Sequence, residues 1–153
     1  MRELREVYYV DGVRSAFGRA GPTGVFWRTR ADDMAVKLVR ELLRRNESLP
    51  PERIDDVVFA ATAQVGDQGL TLGRDVALLA GLPRTVPGFA VDRMCAGALT
   101  AITTGAGEIA MGAADVILAG DVGQPVLAGA RSSIRHSQPP PRLERIEVFR
   151  TGG

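Results

Sequence analysis

Pro87-Gly88-Phe89-Ala90-Val91-Asp92-Arg93-Met94-Cys95-Ala96-Gly97-Ala98-Leu99 is the stretch that decides the reading of this chain. Phe89, Ala90 and Val91 are short and apolar behind Pro87 and Gly88, the pattern of a brief buried strand entered through a turn. Residues 96–111 are Ala, Gly, Thr, Leu, Ile and Met with one charge, Glu108. A helix of that composition has no wide polar face and belongs inside a protein. Gly112 supplies the left-handed residue that ends it. Val116, Ile117, Leu118 and Ala119 then read as a second buried strand with Gly120 at its exit. Cys95, the only cysteine, is thereby placed where a strand gives way to a helix.

The first backbone amides of a helix have no partner within it, and the aligned peptide dipoles add partial positive charge there. Positive potential favours thiolate, the form of cysteine that attacks carbonyl carbon. The same amides can hold the oxyanion formed when a thioester is attacked. Cys95 is therefore a candidate acyl-accepting nucleophile. The competing reading is that a lone cysteine is an inert small apolar residue of a core.

The motifs around it bear on that choice. Val91-Asp92-Arg93-Met94-Cys95-Ala96-Gly97-Ala98-Leu99 resembles the nucleophile motif of the thiolases, N-[KR]-x-C-A-S-G-[LM]. Gly112-Ala113-Ala114-Asp115-Val116-Ile117-Leu118-Ala119-Gly120 resembles their G-x-A-D-V-x-x-A-G. Val13-Arg14-Ser15-Ala16-Phe17-Gly18-Arg19 is similar to the opening V-R-T-P-F-G, and Ile54-Asp55-Asp56-Val57-Val58 to I-D-D-V-[IV]. Gln64, Gly66, Arg74, Ala77 and Ala80-Gly81-Leu82-Pro83 follow in family order. Two departures lie beside the cysteine: Asp92 stands for Asn, and Gly97-Ala98 stand for Ser-Gly. The resemblance implies an acyl-CoA C-acyltransferase with Cys95 as acyl-accepting nucleophile. It implies coenzyme A thioesters as substrates, no further cofactor, and a homodimer or homotetramer for the full-length family. Two alternatives stay open: a non-catalytic subunit or interaction module on the same fold, and a related condensing enzyme of the ketoacyl-synthase type.

Composition narrows the class. With 153 residues, 45% hydrophobic and 24% charged, the chain reads as one soluble globular domain with a core of its own. A net charge of +1 offers no field for nucleic acid. No apolar run approaches membrane-spanning length, and no signal peptide precedes Arg2-Glu3-Leu4-Arg5-Glu6. One cysteine excludes an internal disulfide and fits a reducing, cytoplasmic compartment. A single His leaves no basis for a metal site of His and Cys ligands.

Along the chain, Val7, Tyr8, Tyr9 and Val10 read as a first strand before Asp11-Gly12. Gly18, Gly21, Pro22 and Gly24 mark a connection, without the spacing of a phosphate loop, and Phe26 and Trp27 anchor it. Thr29 with Asp32 reads as a helix start. Met34, Ala35, Leu38, Val39, Leu42 and Leu43 give its apolar stripe and Asp33, Lys37, Arg40, Glu41 and Arg44 its solvated face. Asn46 closes it ahead of Pro50-Pro51. Val57, Val58, Phe59 and Ala60 read as the next strand. Asp55 and Asp56 at its entry point to opposite sides, so they share no site. Leu72, Val76, Leu79 and Ala80 recur at helical spacing and stop at Gly81 and Pro83. In the thiolases the equivalent segment shapes a dimer contact, which gives Arg74 a structural role there.

Strands alternating with helices imply an α/β fold, a mostly parallel sheet with helices on both faces. Thiolase resemblance implies part of a five-layered α-β-α-β-α fold, truncated. Residues 1–121 are read as a partial thiolase N-terminal domain and residues 122–153 as a basic, proline-containing tail outside the family pattern, poorly ordered. After Gly120 the family pattern runs G-[VM]-E-x-M-S, where this chain has Asp121-Val122-Gly123-Gln124-Pro125. Arg131, Arg135, Arg142, Arg145 and Arg150 follow around Pro139-Pro140-Pro141. A tail for acidic partners, a linker and out-of-frame translation are the three readings, and the abrupt shift to biased composition favours the last. Thiolases also use a His in G-H-P, a Cys in C-x-G-G and an Asn in N-E-A-F. None of these motifs is present: His136 lies in Arg135-His136-Ser137, and Asn46-Glu47 ends a surface helix. The fragment alone is therefore expected to be inactive, and the strand at residues 116–119 to lack a neighbour on one side.

Overall fold

The structure, a computed structural model, describes residues 3–123 and 146–151. Five strands form one sheet: β1 (Val7–Val13), β2 (Asp56–Ala61), β3 (Phe89–Val91), β4 (Val116–Val122) and β5 (Ile146–Thr151). Their order across the sheet is β1-β5-β4-β2-β3. β2 runs parallel to both β3 and β4, while β5 is antiparallel to both its neighbours, β4 and β1. Four strands thus point one way and β5 alone runs against them, which is the mostly parallel sheet expected.

Helices α1 (Ala31–Arg45), α2 (Leu72–Ala80) and α3 (Gly97–Met111) cover its two faces. Strand alternation divides the core accordingly. Val57, Phe59, Ala61 and Leu118 face α1 and α2, packed with Ala35, Val39, Leu42, Leu72 and Val76. Val58, Ala60, Ile117 and Ala119 face the other way, with Ala101 and Ile109 of α3.

Several expectations are corrected. β1 continues through Asp11 and Gly12 to Val13, with a register shift between Tyr9 and Asp11. α1 starts at Ala31, and neither Thr29 nor Asp32 caps it. Its opening amide, Ala31 N–H, instead donates to Asp67 Oδ2 at 2.8 Å. Asp67 is buried on a short turn, Gly66–Gln68, in the loop after β2. Asp32 is held by Arg30, at 2.6 Å. Because Asp67 caps from a distance, Asp67→Ala should cost about 1–2 kcal/mol, seen as a lower urea midpoint with an unchanged slope.

On α2 the inward face is Leu72, Gly73, Val76 and Ala77. Leu79 is exposed. α3 buries only Gly97, Ala101, Gly105 and Ile109. Its far side leaves Leu99 and Met111 exposed, so among the described residues it is covered on one face, not two. The expectation for residues 116–119 also fails, since β4 has a partner on both sides. β5 lies within the stretch read as a tail, and β4 runs without a break across the boundary drawn at 121. Residues 124–145, including His136, Arg131, Arg135 and Arg142, lie outside the described residues.

Two polar anchors hold the elements that feed the site. Asp55 Oδ2 accepts from Asp115 N–H at 2.7 Å and Val116 N–H at 3.0 Å, tying the start of β2 to that of β4. Asp56 Oδ1 accepts from its neighbour Val57 N–H, so the two acids do separate work, as their adjacency on a strand requires. Arg74 donates to the carbonyls of Val86 and Arg84 and fixes the loop that leads into β3.

Candidate active site

Because β2, β3 and β4 are parallel, their carboxyl ends share one edge of the sheet, where sites of such sheets gather. The chain leaves β3 at Val91 and turns sharply. Met94 has φ +45, a left-handed conformation that costs a bulky residue about 1–3 kcal/mol. This reversal opens a single tight turn, Met94–Ala96, closed by Ala96 N–H donating to Arg93 O at 3.0 Å. Asp92 Oδ1 accepts a long bond from Met94 N–H, 3.5 Å, so the residue that departs from the family's Asn still contacts the turn.

Cys95 is the middle residue of that turn and is exposed. It lies between β3 and α3, as the sequence predicts, and it is not in the core. α3 begins two residues later at Gly97, and Ala96 at its N-cap position makes no side-chain cap. The residue at the head of α3 thus offers its opening amides no cap of its own. Thr100 and Thr103 do not compete for the site, since their hydroxyls bond to Ala96 O and Leu99 O, each at 3.0 Å.

Under the turn, Gly97 is buried against the ends of β2 and β4. Asp121, 7% exposed, stands at the end of β4 as the register partner of Ala60. Sequence reasoning missed both Asp121 and the left-handed Met94. A lone acid closing an apolar strand, where the quoted pattern has Gly, was the available signal for Asp121.

Two carboxyls raised above their ordinary values lie at the far edge. Burial raises Asp56 above the ordinary carboxylate value, Asp55 adds to the rise and the Val57 amide opposes it. Burial raises Glu108 too, with the charge of Asp56 adding. Asp56 sits at the amino end of β2, so this pair is remote from Cys95 and belongs to the packing of α3. Asn46 is likewise structural: its side chain donates to Asp11 Oδ2 at 3.0 Å and Leu42 O at 2.9 Å. Among the described residues, no three His, Cys, Asp or Glu side chains are grouped to hold a metal ion. No helix among them is long and apolar enough to cross a membrane.

The family model "Thiolase, N-terminal domain" matches residues 7–128. The chain belongs to the thiolase family. It is 41% identical over 118 residues to a 3-ketoacyl-CoA thiolase of Psychrobacter arcticus, covering 77% of this chain and 30% of that protein. The 3-ketoacyl-CoA thiolase of Acinetobacter baumannii gives the same identity and coverage. The chain thus spans about 30% of the length of these curated relatives. Its fold is similar to the crystal structure of a Bacillus anthracis acetyl-CoA acetyltransferase, with TM-score 0.72 and 28% identity, over 92% of this chain and 36% of that one. This structural likeness, like the thiolase match itself, extends past residue 121.

Proposed function

We propose that the chain is the nucleophile-bearing part of a thiolase-type acyl-CoA C-acyltransferase, with Cys95 as the acyl acceptor. The observation that carries this reading is an exposed cysteine in a strained turn between β3 and α3, in a chain of the thiolase family. The Cys95 thiolate adds to the thioester carbon of an acyl-CoA. The carbon–sulfur bond to CoA then breaks, and the CoA thiolate leaves with the proton that the thiol gave up. Amides at the start of α3 are the groups proposed to receive the oxygen that becomes negative in between. The acyl group remains on Cys95 as a thioester, ready for transfer to CoA or to a second acyl unit.

Completing that transfer calls for proton-handling groups. Cys95 and His136 are the only cysteine and the only histidine, and neither lies in a G-H-P or C-x-G-G motif. The chain alone is therefore proposed to stop at the acyl-enzyme, since residues that act as a unit fail together. Incubation with acetyl-CoA followed by peptide mass spectrometry tests this. The expected product is an acetyl group on the peptide beginning at Met94, released by hydroxylamine as a thioester is. Lys37 is the only lysine, so adventitious N-acetylation is easy to locate. Acetyl found there and never on Cys95 would overturn the assignment, and turnover of acetoacetyl-CoA would overturn the proposed arrest.

A further inference from the structure

The start of α3 and the carboxyl end of β4 meet over a space that holds one side chain. An ideal Cβ on Gly97 would lie 2.6 Å from Ala60 Cβ and 3.0 Å from Asp121 Oδ1. Ala60 and Asp121 are register partners on β2 and β4, so the helix start is seated above both. Ala60 Cβ is fixed by its own backbone and cannot withdraw. A side chain at position 97 must therefore either lift the helix start off the two strands or take room that the Asp121 carboxylate fills. The thiolase patterns quoted above carry Ser where Gly97 stands and Gly where Asp121 stands. In this chain the polar side chain has moved from the helix to the strand beneath it.

We propose that Asp121 is a positioning residue for the Cys95 turn, coupled to Gly97. Its carboxylate seats the first turn of α3, and through it the turn that presents Cys95 two residues earlier. The inference takes its functional meaning from the reading of Cys95 as acyl acceptor, but its test uses no acyl transfer.

Cys95 is the only cysteine, so alkylation of the whole 153-residue chain reports on it alone. Iodoacetamide, which is neutral, reads how the turn presents the sulfur. Asp121→Ala, which empties the seat, should change the rate by at least about twofold, a small part of what a misplaced reacting group costs, while Asp121→Asn, which keeps the shape, should restore the parent rate. Equal rates for Asp121→Ala and the parent, or a rate in Asp121→Asn no nearer the parent's than that of Asp121→Ala, overturn the positioning claim. Gly97→Ser should lower the melting temperature by about 3–10 °C. Gly97→Ser with Asp121→Gly should melt higher than the two single shifts summed, because the carboxylate has vacated the space. Additive shifts would overturn the coupling. Should Gly97→Ser not fold, recovery of folding in the double variant supports the coupling, and failure to recover overturns it. An unacetylated Cys95 with these alkylation and melting results intact would sink the acyl-acceptor reading while leaving the coupled pair in place.

Discussion

Cys95→Ser is expected to lose the acetyl adduct completely while keeping its fold. The serine hydroxyl is a far weaker nucleophile without a base to take its proton, and no other cysteine can substitute. The variant should remain within about 0.5 kcal/mol of the parent in stability, since Cys95 is exposed and the substitution is small. Equal melting temperatures with an absent adduct assign the chemistry to the sulfur. An adduct retained by Cys95→Ser would place the acyl group elsewhere and end the nucleophile assignment. The strained Met94 beside it makes the turn, not the helix, the element that presents the sulfur.

Gly73→Ala is expected to cost about 3 kcal/mol, at the top of the usual range for overpacking. An ideal Cβ there would lie 2.3 Å from Val57 O and 2.3 Å from Phe89 O, with Phe89 N at 3.0 Å. All three are backbone atoms of β2 and β3, so no side chain can swing away to relieve the contact. α2 would have to lift from the sheet, and Arg74, which holds the loop before β3, would be carried with it. For a chain of this size the loss corresponds to a fall in melting temperature of about 6–12 °C. Gly107 is the control. It sits on α3 with nothing within 4 Å of its ideal Cβ, so Gly107→Ala should stabilise by about 0.5–1 kcal/mol through helix propensity alone. Two glycine-to-alanine changes in helices would then shift stability in opposite directions, and a melt of each variant checks both.

Local patterns carried much of this architecture. β3 and β4 were legible as apolar runs bounded by Gly and Pro, and α3 as a long stretch of small and apolar residues with one charge, Glu108, so that Cys95 falls between β3 and α3. Asn46 was legible as a helix end because a polar residue after an apolar stripe, followed by two prolines, has few other uses. What escaped was non-local. Asp67 caps α1 from thirty-six positions away in sequence, and no spacing rule links it to Ala31. Thr29 looked the better cap only because capping patterns are written for neighbours. β5 escaped for a different reason. Ile146-Glu147-Val148-Phe149-Arg150-Thr151 is rich in β-branched and aromatic residues, but it follows an arginine- and proline-rich stretch whose composition dominated the reading. The left-handed Met94 carries no sequence signal at all, since methionine is not a residue that favours positive φ.

The placement of β5 has a consequence for how the chain assembles during translation. β1 forms its ladder with β5 and not with β4, so it leaves the ribosome well before its sheet neighbour, residues 146–151. The β2–β3–β4 unit can form earlier, from segments close together in sequence. β1 meanwhile waits without a ladder partner, the kind of exposed ladder that invites pairing with another chain. Closure of this sheet is a late, long-range event, and nascent chains halted before it would be the aggregation-prone species.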